Sequence, residues 1–151
     1  MSIVAEAPAG EQTLGRSATN KVSIMMFSGT ADKFIPLGVI CQAAAAMGME
    51  VNVFVTGFAL HAFTKQHHDL PFPGEFAAMA PAVARGMQAA HVESWDTMLR
   101  QAKELGAKVY ACSMMCEVMG LKKEDFGELV DDVVGAATFV QTAAGGETFF
   151  T

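Results

Sequence analysis

The residues best suited to chemistry are Cys112 and Cys116, four apart in VYACSMMCEVMGL, Val109 to Leu121. The stretch begins as an apolar run of strand character and continues as a short helix. If Ser113 or Cys112 itself caps a helix beginning near Met114, unpaired backbone N–H groups and the positive end of the helix dipole favour a thiolate over a thiol. A thiolate is the nucleophilic form and supports sulfur chemistry near neutral pH. Cysteine is also among the residues most often simply buried, so position alone leaves an inert core thiol as an equal alternative. In a helix, Cys116 would place its Cβ about 5–6 Å from that of Cys112. A disulfide prefers roughly 3.5–4.5 Å, so this pair closes only after local unwinding. The spacing is not that of a Cys-x-x-Cys redox motif. Cys116 is therefore a second sulfur acceptor, a conditional resolving thiol or a buried hydrophobe. Cys41, among Ile40, Ala43 and Ala44, belongs to a helix core.

The elements that position these thiols are legible as alternating strand-length and helix-length segments. KVSIMMFS (Lys21 to Ser28) is apolar on both faces, as a parallel strand covered on two sides must be. SGTADK then supplies a turn and a helix N-cap, and an Ala-rich helix runs to Met47 and Gly48. The same turn could hold an anion at the helix start, but it lacks a glycine-rich phosphate loop, and capping is the favoured role. VNVFVTG is a second strand. Ser94 caps a helix through WDTMLRQAKEL that aligns Trp95, Met98, Leu99, Ala102 and Leu105, and Gly106 ends it. AKVYAC is a third strand. A short helix, an amphipathic KKEDFGELVDD, a Val133–Val134 strand, a helix through AATFVQTA and a last strand ETFFT complete the order. The expected fold is a three-layer α/β/α sandwich with a mainly parallel five-stranded sheet. It forms one domain over residues 21–151, preceded by a loose tail over 1–20. In such sheets functional groups gather at the carboxyl ends of the strands, where Cys112 falls.

Composition narrows the function classes. The 151 residues are 52% hydrophobic and 17% charged, with a formal net charge of -6 and no basic cluster, which argues against a nucleic-acid groove. So apolar a chain should bury surface between subunits, and a homo-oligomer, most simply a trimer, is expected. Three cysteines without a secretory signal point to a reducing, cytoplasmic setting. The longest uncharged run, Phe34 to Met49, is 16 residues and broken by Pro36, Gly38 and Gly48, too short to span a bilayer.

The region from Leu60 to His91 is the least regular. It holds His61, His67 and His68 near Pro71 and Pro73, and Phe76, Met79, Val83 and Met87 then return to helical spacing. Without a Cys-x-x-Cys or His-x-x-x-His pair, no metal site is expected. The segment reads as a helical flap, one that would shield a persulfide if it packed over Cys112.

VSIMMFSGTADKFI, AAAAMGMEVNVFVTGFAL and QAKELGAKVYACSMMCEVMGLKKEDF together resemble the DsrE/DsrF/DsrH-like family of sulfur-relay proteins, in particular the subgroup once labelled peroxiredoxin-like. The resemblance runs from Lys21 to Thr151. It implies the five-stranded parallel fold, an oligomer, and sulfane sulfur or a thiosulfonate carried on a cysteine, which by the ACxM match is Cys112. Cys116 stands where the subgroup pattern has methionine. The resemblance also implies TusA-like carriers and rhodanese-like donors as partners. The expected function is a sulfur carrier whose Cys112 thiolate takes sulfur from a donor and hands it to an acceptor thiol, exchange chemistry that needs no organic cofactor. Two alternatives stand beside it: a thiol peroxidase with Cys116 as resolver, and a flavodoxin-like binding module or structural subunit of a sulfur-metabolism complex.

Overall fold

The computed structural model describes residues 20–66 and 69–151. The tail expected over 1–20 lies outside the described residues except for Asn20, as do His67 and His68. Five strands, β1 (Lys21–Met26), β2 (Glu50–Val55), β3 (Lys108–Cys112), β4 (Asp132–Val134) and β5 (Glu147–Phe150), form one sheet in the order β4-β3-β2-β1-β5. Every pairing is parallel. Five α-helices accompany them: α1 (Ala31–Ala46), α2 (Ala80–Ala89), α3 (Trp95–Glu104), α4 (Ser113–Met119) and α5 (Ala136–Ala143). The expected three-layer α/β/α sandwich is the observed fold.

The two helical layers are unequal. Val22, Ile24 and Met26 of β1, Val51, Val53 and Val55 of β2, and Val109 and Ala111 of β3 point to one side. There they meet Phe34, Leu37, Cys41 and Ala45 of α1 and Leu99 and Ala102 of α3. Alternation sends Phe54 and Cys112 to the other side, where Phe139 and Ala143 of α5 close a second, smaller cluster. Burying Phe34, Phe63 and Trp95 against each other, with ring centroids 4.7–6.1 Å apart, fixes the thick layer. The thin layer rests on one eight-residue helix.

Close backbone approaches explain two glycines. A Cβ on Gly38 of α1 would lie 2.9 Å from the Met98 methyl and 3.1 Å from the Trp95 Cα, so the bare glycine lets α1 and α3 cross tightly. Gly57 has φ +53, and a Cβ there would meet the Phe27 carbonyl oxygen at 3.0 Å, where the connections leaving β1 and β2 pass each other.

Several local expectations change in detail. Ser94 occupies the N-cap position of α3 with extended backbone, but its hydroxyl meets the Thr97 hydroxyl at 2.8 Å instead of capping a backbone N–H. Met98, Leu99 and Ala102 are buried as the helical spacing implies, while Leu105 is exposed because α3 ends at Glu104 and Gly106 turns the chain away with φ +106. The segment KKEDFGELVDD holds only one 3-10 turn, Lys123–Asp125. Its Phe126 bridges Thr64 in antiparallel fashion, Gly127 N–H donates to the Phe63 carbonyl and Lys65 N–H to the Asp125 carbonyl. Pairing with residues 63–65 takes the backbone groups that a helix would need.

Candidate functional site

Cys112 is the last residue of β3 and the N-cap of α4, with φ -70 and ψ 115. A chain leaving a parallel strand into a helix without a connecting loop puts this side chain at the carboxyl edge of the sheet, facing α5. The residue is 4% exposed, lying among Phe54, Phe139 and Ala143, with Tyr110, Met115 and Val134 packed around them. Phe139 stacks on Phe54 with ring centroids 4.6 Å apart and planes 13° from parallel, forming a flat apolar lid. The lid is thus α5. The flap of residues 60–91, expected as a possible cover, contributes nothing to this cluster. In that region Gly57–Phe63 is a 3-10 helix that buries Ala59, Leu60 and Phe63 in the larger core, while the 3-10 helix Gly74–Met79 and α2 (Ala80–Ala89) bury no residue.

Cys116 sits one turn along α4, also 4% exposed, but it belongs to the larger core on the opposite side of the sheet. Burial pushes its thiol up, and a charge on Cys112 would push it further. The two cysteines are therefore near enough to feel each other's charge while their side chains are packed into different clusters. Cys41 is fully enclosed in α1, and burial pushes its thiol up to about 12, so at neutral pH it is an inert core residue. All three cysteines are free thiols.

Around the remaining sequence candidates the chemistry is sparse. Among the described residues no group of three His, Cys, Asp or Glu side chains is arranged to hold a metal ion. His61 lines the rims of two cavities, one beside the β1–α1 turn and one beside Lys65, Glu124 and Asp125. Neither cavity is lined by Cys112. At the β1–α1 turn the Ser28 and Thr30 hydroxyls lie 3.0 Å apart, and the Ala31 N–H donates to the Pro71 carbonyl at 2.9 Å. The turn that sequence reading treated as a cap is thus closed by a segment 40 residues away. Spacing gave no signal for that contact.

The family described as DsrE/DsrF/DrsH-like matches this chain over residues 18–85 and again over 73–149. The chain belongs to this family. A Bacillus subtilis protein, YrkE, is 27% identical over 85% of this chain and 94% of its own length. A protein of Allochromatium vinosum named sulfur carrier protein DsrE2 is 24% identical over 82% of this chain and 92% of its own. Among solved structures, the ychN protein from E. coli superposes with TM-score 0.57 at 12% identity, over 88% of this chain and 98% of that one. MTH1491 from Methanobacterium thermoautotrophicum gives 0.55 at 14%, over 87% and 98%. At those identities the structural likeness speaks for the fold alone. The family membership places the chain in a sulfur-relay family, and no helix among the described residues is long and apolar enough to cross a membrane.

Proposed function

We propose that this protein is a sulfur carrier and that Cys112 is the atom-bearing residue. The observation that carries the reading is the position of Cys112: a thiol at the carboxyl end of a parallel strand, at the junction with a helix, beneath a layer one helix thick. Family membership and the named sulfur carrier among the relatives support it. From a donor persulfide R–S–SH, the Cys112 thiolate forms one S–S bond to the outer sulfur, the donor S–S bond breaks, and RS⁻ leaves to take a proton from solvent. From tetrathionate the same attack leaves –S–SO3⁻ on Cys112 and releases thiosulfate. Neither step consumes an oxidant or reductant, and handing the sulfur on is the same exchange with an incoming thiolate.

Cys116, held as a thiol by burial, modulates release from Cys112 and does not bridge to it. Its place in the other core cluster supports that role over the resolving thiol of a peroxidase, because a bridge would require one of the two side chains to leave its packing. TusA-like carriers and rhodanese-like proteins are the partners this reading implies, in the cytoplasm. Self-association, with a trimer as the simplest closed form, fits the exposed Phe76, Met79 and Phe150.

Intact mass and peptide mapping after incubation with thiosulfate, tetrathionate or polysulfide test the assignment. The adduct should map to Cys112, be absent in Cys112→Ser and persist in Cys41→Ser. Equal loading of Cys112→Ser would sink it.

A further inference from the structure

The two edges of the sheet are finished differently. β4 is three residues long and carries Asp132, whose carboxylate is ion-paired with the Lys123 ammonium at 2.8 Å, so charge guards that edge. β5, at the opposite edge, reads ETFF, with one charge at its start and neither proline nor lysine to block pairing. Its register with β1 runs unbroken from Glu147 to Phe150, and among the described residues β1 is its only strand partner. All four of its residues are exposed.

Both faces of β5 present a large ring to solvent. Phe149 is level with Ile24 and shares the α1 side with it, while Phe150 is level with Met25 and shares the α5 side. They are 46% and 67% exposed. A partner lying on one face of the sheet would cover one ring and leave the other in water. A strand added at the edge brings side chains to both faces at once.

The backbone points to the same kind of partner. Thr151 N–H donates to the Met25 carbonyl and the Thr151 carbonyl accepts from Phe27 N–H, both at 2.9 Å. Successive residues of a strand turn these groups to opposite sides, so Phe149 faces β1 as Thr151 does, and the N–H and C=O of Thr148 and Phe150 face outward. These outward groups are self-complementary. In an antiparallel pairing of β5 with β5 of a second copy, centred on Phe149, Thr148 of each chain lies opposite Phe150 of the other, and each such pair exchanges two N–H···O bonds. Phe149 meets its own counterpart at the non-hydrogen-bonded position, where side chains come closest and an aromatic pair is favourable. Glu147 falls opposite Thr151, and the two Glu147 positions are about 13 Å apart along the ladder, beyond a Debye length of roughly 8 Å. Centring on Thr148 instead would set Glu147 against Phe149 and Phe150 against Gly146.

We propose that β5 is a two-fold contact between copies of this chain, pairing antiparallel about Phe149 into one continuous sheet. With roughly 200 Å2 for an aromatic side chain, the exposed parts of the two rings supply about 230 Å2 per copy and about 450 Å2 in the pair. That is over a third of the roughly 1,200 Å2 at the lower bound for stable complexes, with the paired backbones still to add, so the contact suits a dissociable dimer. It gives the self-association proposed above a surface and a symmetry, and it rests on that reading and not on the chemistry at Cys112. Cys112 is on β3, three strands in from β5, so the two thiols stand seven strand spacings apart, roughly 34 Å, at carboxyl edges that face opposite ways. Each stays open to its own exchange partner.

Sedimentation velocity of the full-length chain, from micromolar to millimolar, tests the contact with three variants. Thr148→Pro removes an outward N–H, touches no bond to β1 and is a substitution that edge strands tolerate. Phe149→Lys and Phe149→Glu each set like charges opposite one another at the axis. The wild-type chain should form an even-numbered assembly at the upper concentrations: a dimer, or a hexamer where the threefold form also closes. Each variant alone should halve the mass of that particle. An equimolar mixture of the Phe149→Lys and Phe149→Glu chains should restore it, because opposite charges then meet across the axis, a rescue that chains unable to fold would not show. A wild-type particle that stays monomeric or is only trimeric, an unchanged mass in the variants, or a mixture that fails to reassemble overturns the proposal. A monomer at every concentration would sink the self-association reading as well, whereas an assembly indifferent to all three variants would sink β5 alone.

Discussion

Replacing Phe139 by alanine should unmask Cys112 without unmasking Cys41. Phe139 is 2% exposed and is the larger of the two buried residues that hold α5 to the sheet, the other being Ala143. Truncating a buried phenylalanine costs about 3–5 kcal/mol, which includes the roughly 0.5–1.5 kcal/mol specific to an aromatic pair such as Phe139 on Phe54. α5 is eight residues long, is flanked by Gly135 and by Gly145–Gly146, and exposes Ala136, Ala137, Val140 and Gln141. Beyond these two residues, α5 is tied to β1 by the Lys21 ammonium, which donates to the Thr142 carbonyl at 2.8 Å and the Ala144 carbonyl at 3.4 Å. If α5 opens as a local unit, the lost energy enters its opening equilibrium, and 3 kcal/mol raises the open population by about two orders of magnitude. Alkylation of Cys112 by iodoacetamide at pH 7.5, followed by peptide mapping, should accelerate by roughly that factor, up to the rate of a free thiol. Cys41, enclosed in the thick layer, should keep its slow rate. An unchanged Cys112 rate would refute α5 as the lid. Equal acceleration of Cys41 would show that α5 opens only with the whole domain.

Three further outcomes follow from the same packing. Cys41 titrates at about 12 against 9.0 for an ordinary thiol, so the folded chain holds a proton that the unfolded chain loses. Stability from this group is complete below pH 9 and should fall by about 1.4 kcal/mol per pH unit as pH rises from 9 toward 12. Cys41→Val should flatten that slope in urea titrations, and an equally steep slope in the variant would assign the loss elsewhere. Gly38→Val places carbon where the Met98 methyl and the Trp95 backbone already lie, and should cost about 1–3 kcal/mol, read as a lower urea midpoint at unchanged m-value. A midpoint equal to wild type would mean that α1 and α3 separate freely. Cys116→Met adds volume at a buried position and should cost about 1–3 kcal/mol, while retaining sulfur loading on Cys112 with an altered release rate. Loss of loading, or an efficient Cys112–Cys116 disulfide formed by peroxide in the wild-type chain, would favour the dithiol peroxidase.

The sheet was readable because its strands are buried on the core side and interrupted by strong helix and turn signals. Val22, Ile24 and Met26, Val51, Val53 and Val55, and Val109 and Ala111 keep a two-residue period into one cluster. The position of Cys112 was readable for the same reason, since VYAC must end a strand before a helix can begin. What lay beyond reach depends on contacts distant in sequence. Nothing in AATFVQTA distinguishes a helix that packs on the sheet through Phe139 from one that only connects two strands, so the cover over Cys112 was sought in the wrong segment. KKEDFGELVDD carries an amphipathic pattern, yet Phe126 and Leu129 reach the core while the backbone between them pairs with residues 63–65. A local pattern cannot report a partner 60 residues away.

The unequal layers tie these points to function. A thiol that must be both protected and delivered is poorly served by a permanently open cleft or by the thick layer that encloses Cys41. Beneath α5, Cys112 is screened from water by the stack of Phe54 and Phe139 and by Ala143, with Tyr110, Met115 and Val134 packed around them. The energy needed to expose it is then that of one short helix and not of the domain. The adjoining surface is apolar, with Met114 and Val118 on α4 and Val140 on α5 all exposed. A protein that covers those residues on docking gains the burial that can offset displacement of Phe139. If Cys112 carries the sulfur as proposed, a docking partner would be what exposes it, and reagents that bury nothing should react slowly even when their sulfur is electrophilic. Tetrathionate loading should therefore accelerate in Phe139→Ala about as much as iodoacetamide labelling does. Delivery from a docked protein donor should gain far less, because the partner already does what the mutation does. Equal acceleration of both routes would place the rate-limiting step in the chemistry at sulfur and leave the lid without a role.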